Sequence, residues 1–210
     1  IDGDLTDAAW SSAVAFSGLK MVFPNPGAEP TERTELRVLI DDANLYLGIQ
    51  CFDRHPASIS ANSMAHDGGG SKEEKADDVV RILLDPFQNK RTAYVFIVNA
   101  RGARSEGLAS GEWADLSWDG IWDAKCRIHA EGWTAEVRIP FKTISFKPNL
   151  ESWGLNVERY IARKQETDRL ASSSRNSFFY NPMEAASLQG VGGAKQGLGL
   201  TFRPYGFASA

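Results

Sequence analysis

The strongest constraint in this sequence is a two-residue rhythm. Leu36, Val38 and Ile40 take every second position of one run, and Leu45, Leu47, Ile49 and Cys51 do the same in the next. The rhythm returns at Trp122, Ala124, Cys126 and Ile128, at Trp133, Ala135, Val137 and Ile139, and at Trp153, Leu155 and Val157. Successive side chains of a strand point to opposite faces, so this period gives a strand with one dry face and one wet face. An amphipathic helix would need spacings of three and four, and no long stretch has them. Turn chemistry separates the runs. Asp41-Asp42-Ala43-Asn44 has short polar side chains that bond their own backbone, and Glu131-Gly132 turns the chain again. Pro140 ends a strand because it has no N–H for a ladder. Residues 79–84 and 93–98 are apolar runs, the first interrupted by Arg81, and read as a second, buried hairpin. Many short strands without a βαβ alternation predict an all-β fold, an antiparallel β-sandwich of jelly-roll type.

The segments between these runs are rich in Gly, Pro, Ser and Asp. Loops are predicted at 24–30, 53–77, 100–120 and 164–196. The second of these holds Gly68-Gly69-Gly70 and reads as a long mobile loop, a common place for function. A short segment ends in Trp10, expected to plug the sandwich edge, and one helical turn is expected over 141–146.

With 210 residues, 42% of them hydrophobic, the chain can build one sizeable core. The net charge of -4 and the absence of a Lys/Arg-rich run argue against a nucleic-acid partner. No apolar stretch reaches the roughly 18 residues of a membrane helix. The chain begins at Ile1, with neither an initiator Met nor a signal peptide, and reads as trimmed. Its two cysteines, Cys51 and Cys126, sit in strand-like runs, where they either pair as one disulfide or serve as two buried thiols.

Candidate chemistry is sparse. Asp77 and Asp78 form a carboxylate pair after the Gly-rich loop and, with Asp53, are the candidate oxygen ligands for Ca2+. Asp41, Asp42 and Asn44 read as turn residues. Glu136, Glu158, Asp115 and Asp119 are the acids a glycosidase would draw on, but no spacing singles out a pair. His55, His66 and His129 lack metal-ligand spacing, and there is no nucleophile elbow. No enzymatic activity is expected of this chain alone.

An ordered series of motifs does point somewhere. It runs Asp2-Gly3-x-Leu5-x-Asp7-x-x-Trp10, then 38–47, Asp77-Asp78-Val79, Leu84-Asp85 and Phe96-x-Val98-Asn99-x-x-Gly102. Trp118-Asp119-x-x-Trp122 and Gly132-Trp133-x-x-Glu136-x-x-Ile139-Pro140-Phe141 follow. Trp153-Gly154-x-Asn156 and Arg159-Tyr160-Ile161-x-Arg163-x-x-Glu166 complete it. Over residues 1 to about 190 the chain resembles the carbohydrate-binding module family 9 domain, in the version that precedes a bacterial outer-membrane β-barrel. The resemblance implies a domain over 1–195, with 196–210 opening the following region. It also implies export to the periplasm or outer membrane, binding of a polysaccharide or oligosaccharide, and Ca2+. Two loop aromatics over polar sheet residues would hold the sugar, and the sheet positions fall on Arg81, Ile97 and Glu158. Ile97 cannot bond a hydroxyl, and 71–75 lacks the Trp that such modules place there. The sugar-binding candidates are therefore Arg81, Asn99, Trp113, Glu158, Phe179 and Tyr180, with Phe178 beside them. A rival reading is an interaction or plug domain for the chain's own C-terminal β-barrel. A lesser one is a haem-binding sandwich using Met64 and His66, which lie too close in sequence for opposite faces of a haem.

Overall fold

The computed structural model describes residues 1–63 and 76–195. The predicted strands are present: β2 (Thr34–Ile40), β3 (Asn44–Phe52), β4 (Val79–Asp85), β5 (Ala93–Asn99), β8 (Asp123–His129), β9 (Gly132–Pro140) and β10 (Ser152–Ile161). Among the described residues five further strands join them: β1 (Lys20–Phe23), β6 (Arg104–Ser110), β7 (Trp113–Asp115), β11 (Glu166–Arg169) and β12 (Ala186–Gln189). All pairings are antiparallel. One eight-stranded sheet runs β1-β11-β10-β4-β5-β6-β7, with β12 beside the start of β10, and a four-stranded sheet runs β2-β3-β9-β8.

The alternation decides which face of each strand is dry. Leu45, Leu47, Ile49 and Cys51 of β3, and Trp133, Ala135, Val137 and Ile139 of β9, meet Val80, Ile82, Leu84, Phe96, Trp153 and Val157 of the large sheet in one core. Trp133 and Trp153 are buried there, as the rhythm predicts. Cys51 and Cys126 are free thiols, so the reading without a disulfide holds. Burial pushes the Cys51 thiol up to about 12 and the Cys126 thiol up as well.

Several local expectations fail for physical reasons. The loops drawn at 100–120 and 164–196 contain β6, β7, β11 and β12, strands short or polar enough to hide their rhythm. Residues 141–146 hold no turn of helix: Thr143 N–H on Pro140 O closes a hydrogen-bonded turn, and 144–146 continue as irregular chain. Trp10 does not plug an edge. It stands in the middle of its helical turn, α1 (Ala8–Ser12), and packs against the outer face of the small sheet, over Gly48, where a Cβ would come within 2.9 Å of the indole. Its Nε1 donates to Glu136, whose second oxygen accepts the backbone N–H groups of Asp2 and Gly3. Asp41 behaves as expected: its Oδ1 accepts the N–H groups of Ala43 and Asn44 and closes the β2–β3 turn. Gly68 to Gly70, residues 71–75, Met64, His66 and the 196–210 tail lie outside the described residues.

Candidate functional site

The large sheet has an outer face of its own. Val79, Leu83, Ala93, Val95, Ile97 and Ala109 form a second apolar cluster there, with Phe179 laid over it. A row of cross-strand neighbours runs through this apolar surface. Arg169 of β11 faces Glu158 of β10, Glu158 faces Arg81 of β4, Arg81 faces Ile97 of β5, and Ile97 faces Ser105 of β6. Directly opposed side chains lie about 5 Å apart, so the three charges must interact. Arg81 donates to Glu158 Oε1 at 2.8 Å, and Arg169 donates through Nε and Nη2 to Glu158 Oε2 at 2.8 and 2.5 Å. Glu158 and Arg169 are each 5% exposed at the side chain, while Arg81 keeps 12%. Burying such a triad rarely stabilises more than an apolar filling would, so its presence calls for another role. Tyr160 borders the row, and burial raises its phenol.

The sugar-binding candidates separate on this frame. Arg81 and Glu158 come together as expected. Phe179 and Tyr180 lie beside them, rings 5.6 Å apart at 71°. Phe179 is only 5% exposed and serves as a cover, with the Arg169 guanidinium 5.8 Å from its ring; Phe178 stays exposed. Asn99 is spent on structure. Its amide donates to Ser63 O and Asp77, and its oxygen accepts the N–H groups of Arg101 and Ala103. Trp113 is 72% exposed but stands elsewhere. Ala114, opposite Ala109, packs on the outer cluster, so alternation turns Trp113 to the other face at the sheet's free edge. Arg169 escaped the sequence reading because Glu166-Thr167-Asp168-Arg169 has no apolar member to mark it as a strand.

The calcium candidates do not form one site. Both oxygens of Asp53 accept from the Arg163 guanidinium, at 2.5 and 2.8 Å. Asp77 accepts the N–H groups of Asn62 and Ser63 and the amides of Asn62 and Asn99. Burial raises its pKa, but these bonds outweigh that and hold it below the ordinary value. Asp78 takes Ser60 N–H on one oxygen, has no partner on the other among the described residues, and is pushed up by burial. Among the described residues, Glu32, Asp53 and His55 alone approach as a potential ligand trio. Glu32, however, already meets Arg54, Arg163 and Lys164. A hard cation would have to displace these donors, so the set as placed does not fit Ca2+.

The remaining acids are tied down too. Glu136 and Glu158 sit on the outer faces of different sheets and cannot flank one glycosidic bond. Arg159, fully buried between the sheets, donates to Arg33 O, Thr34 Oγ1 and Phe52 O and so stitches β10 to β2 and β3. Opposite it in the ladder, Asp168 is fully buried; burial and the neighbouring Glu166 carboxylate push it up to about 7. Glu166 itself accepts the N–H and hydroxyl of Thr31.

The model for the carbohydrate family 9 binding domain-like family matches residues 1–177. No curated protein matches the sequence. Among solved structures, a family 9 carbohydrate-binding module from Caldicellulosiruptor kristjanssonii in complex with cellotriose superposes with a TM-score of 0.65 at 18% identity, over 97% of this chain and 94% of that one. A second structure of such a module from that organism, in complex with glucose, gives 0.63 at 18% identity, over 93% and 90%. A Bacteroides uniformis protein gives 0.63 at 11% identity, over 82% and 86%. At these identities the structural likeness speaks for the fold.

Proposed function

We propose that this chain, which belongs to the carbohydrate family 9 binding domain-like family, is a non-catalytic module that holds an oligosaccharide against the outer face of its large sheet. The observation that carries the reading is the Arg169–Glu158–Arg81 row. It is a desolvated, mutually oriented set of planar polar groups, with Arg81 still reachable from solvent. Such groups bond pairs of hydroxyls. The similar modules bound to cellotriose and glucose support the ligand class. The same reading makes the chain one part of a larger exported protein of the periplasm or outer membrane, delivering a polysaccharide for breakdown or uptake. Calorimetric titration with cellotriose and glucose tests the central claim. Wild type should bind at least one, and Arg81→Ala, titrated at a temperature where circular dichroism shows it folded, should bind about tenfold more weakly. No heat with either sugar, or equal affinity in the variant, would overturn it.

A second reading is docking onto the chain's own C-terminal β-barrel. Ile97, which offers no hydroxyl partner, and the exposed Trp113 at a free sheet edge favour it. Co-purification of this chain with its downstream segment, lost in Trp113→Ala, would support it.

A further inference from the structure

The opposite side of the sandwich carries a second polar row. On the outer face of the small sheet, Glu35 faces Gln50, Gln50 faces Thr134, and Thr134 faces Arg127, across β2, β3, β9 and β8 in turn. Three interstrand steps of about 4.8 Å make this row roughly 14 Å long. It is the floor of a groove of about 480 Å3. The N-terminal segment forms one wall: Leu5 and Trp10 stand over Gly48, and Glu136 anchors them from below. Phe52 lines the other side, with one face of its ring covered by the Arg33 guanidinium at 3.9 Å.

We infer that this groove is a second ligand site, for a neutral polyhydroxylated molecule of oligosaccharide type, distinct from the face of Arg81. Three observations select that chemistry. First, four of the groove's charges are already matched. Arg37 meets Glu35 at 3.1 Å and Arg127 meets Asp4 at 2.9 Å, and the remaining Glu131 carries a negative charge. An anionic ligand would have to break one of these pairs and would meet Glu131, whereas a hydroxyl bonds to both members of a pair, or to Glu131, and breaks neither. Second, three of the floor groups, Glu35, Gln50 and Arg127, are planar and have capacity left, while the Thr134 hydroxyl is spent on Gly3 O. Gln50 Nε2 lies 3.1 Å from His129 Nε2 and 3.5 Å from Trp133 O, and its oxygen has no partner among the described residues. Each guanidinium has more N–H donors than its one carboxylate uses. Third, Leu5 and Phe52 give the apolar contact that the C–H face of a sugar ring needs beside its hydroxyls.

The site stands whether or not the Arg81 face binds sugar, because the two rows lie on opposite surfaces. Amide chemical shifts of the labelled chain, followed during titration with cellotriose, xylotriose and maltotriose, separate them. At least one sugar should shift the amides of 35, 50, 52, 127 and 129 together, and the shifts should saturate. Gln50→Ala should weaken that response about tenfold, with an unchanged circular dichroism spectrum and melting curve, while Arg81→Ala leaves it intact. Arg127→Ala provides a second probe if the Gln50 variant melts early. Shifts confined to the Arg81 face overturn this inference alone. No response to any of the three sugars, or wild-type titration by both groove variants, overturns it as well.

Discussion

Removing the Trp10 ring is the sharpest test of how the N-terminal segment is held. The side chain is 3% exposed, lies on Gly48, and donates to Glu136 Oε1 at 3.0 Å. Burying a large aromatic removes about 150–250 Å2 from water. At ~25 cal/mol/Å2 that is roughly 4–6 kcal/mol as an upper bound. Trp10→Ala should therefore cost about 3–5 kcal/mol, some of the cavity relaxing as the segment lifts. Trp10→Phe divides the effect. It keeps most of the apolar contact and deletes the N–H, while Glu136 retains the Asp2 and Gly3 amides at 2.7 and 3.0 Å. The loss is one charge-assisted bond, about 1.5–3 kcal/mol. Urea unfolding followed by circular dichroism measures both, and a cycle with Glu136→Gln isolates the coupling of indole and carboxylate. A Trp10→Ala cost under about 1 kcal/mol would mean that the segment is not docked on the sheet. Trp10→Phe within about 0.5 kcal/mol of wild type would mean that the ring alone holds it.

Three further outcomes can be checked in the same assay. Trp133→Ala, in the middle of the core, should cost about 3–5 kcal/mol, whereas Trp113→Ala should change stability by less than about 1 kcal/mol; reversal of that order would misplace both rings. Arg169→Ala leaves Glu158 buried with a single cation and should cost about 3–5 kcal/mol; a neutral result would show that the triad is dispensable to the fold. Asp168 has its carboxyl raised from 3.8 to about 7, so between these values the folded chain holds a proton that the unfolded chain has released. Its contribution to stability is therefore greatest at low pH and is lost as pH rises through 7. Melting Asp168→Asn beside wild type from pH 4 to pH 8 should show the variant gaining on wild type as pH rises, and a constant gap would refute the assignment.

How much of this was legible in the sequence follows from where the water is. Strands β3, β9 and β10 each have a dry face toward the core, so Leu45 to Cys51, Trp133 to Ile139 and Trp153 to Val157 announce themselves by period. β11 is buried but charged, and β6 carries Gly107, where a Cβ would come within 2.5 Å of Asp115 O, so neither offers an apolar rhythm. The Arg81–Glu158 half of the candidate site could be read because both residues lie on strands with clear alternation. Arg169 could not, nor could the bonds that tie Asp77 to Asn62, Ser63 and Asn99 and Asp53 to Arg163, because those partners lie 14 or more residues away in sequence. The groove on the small sheet was hidden for another reason. Its floor residues occupy the polar half of the alternation, which the sequence reading treated as solvated surface.

Two buried charge networks now stand within one ladder, and accessibility tells their roles apart. Arg159 and Arg169 both belong to the β10–β11 pair, and each meets buried partners. Arg159 points between the sheets, spends three bonds on the opposite sheet, and leaves no path for a ligand. It acts as a fastener, trading desolvation for a fixed sheet-to-sheet register. Arg169 points outward, and its network ends in Arg81, which solvent still reaches. The outward network fastens little, since Arg81, Glu158 and Arg169 are neighbours in a ladder whose backbone already fixes them. A charge triad that adds no register, costs desolvation, and ends at an accessible guanidinium beside Ile97 is better explained by what it holds than by what it stabilises.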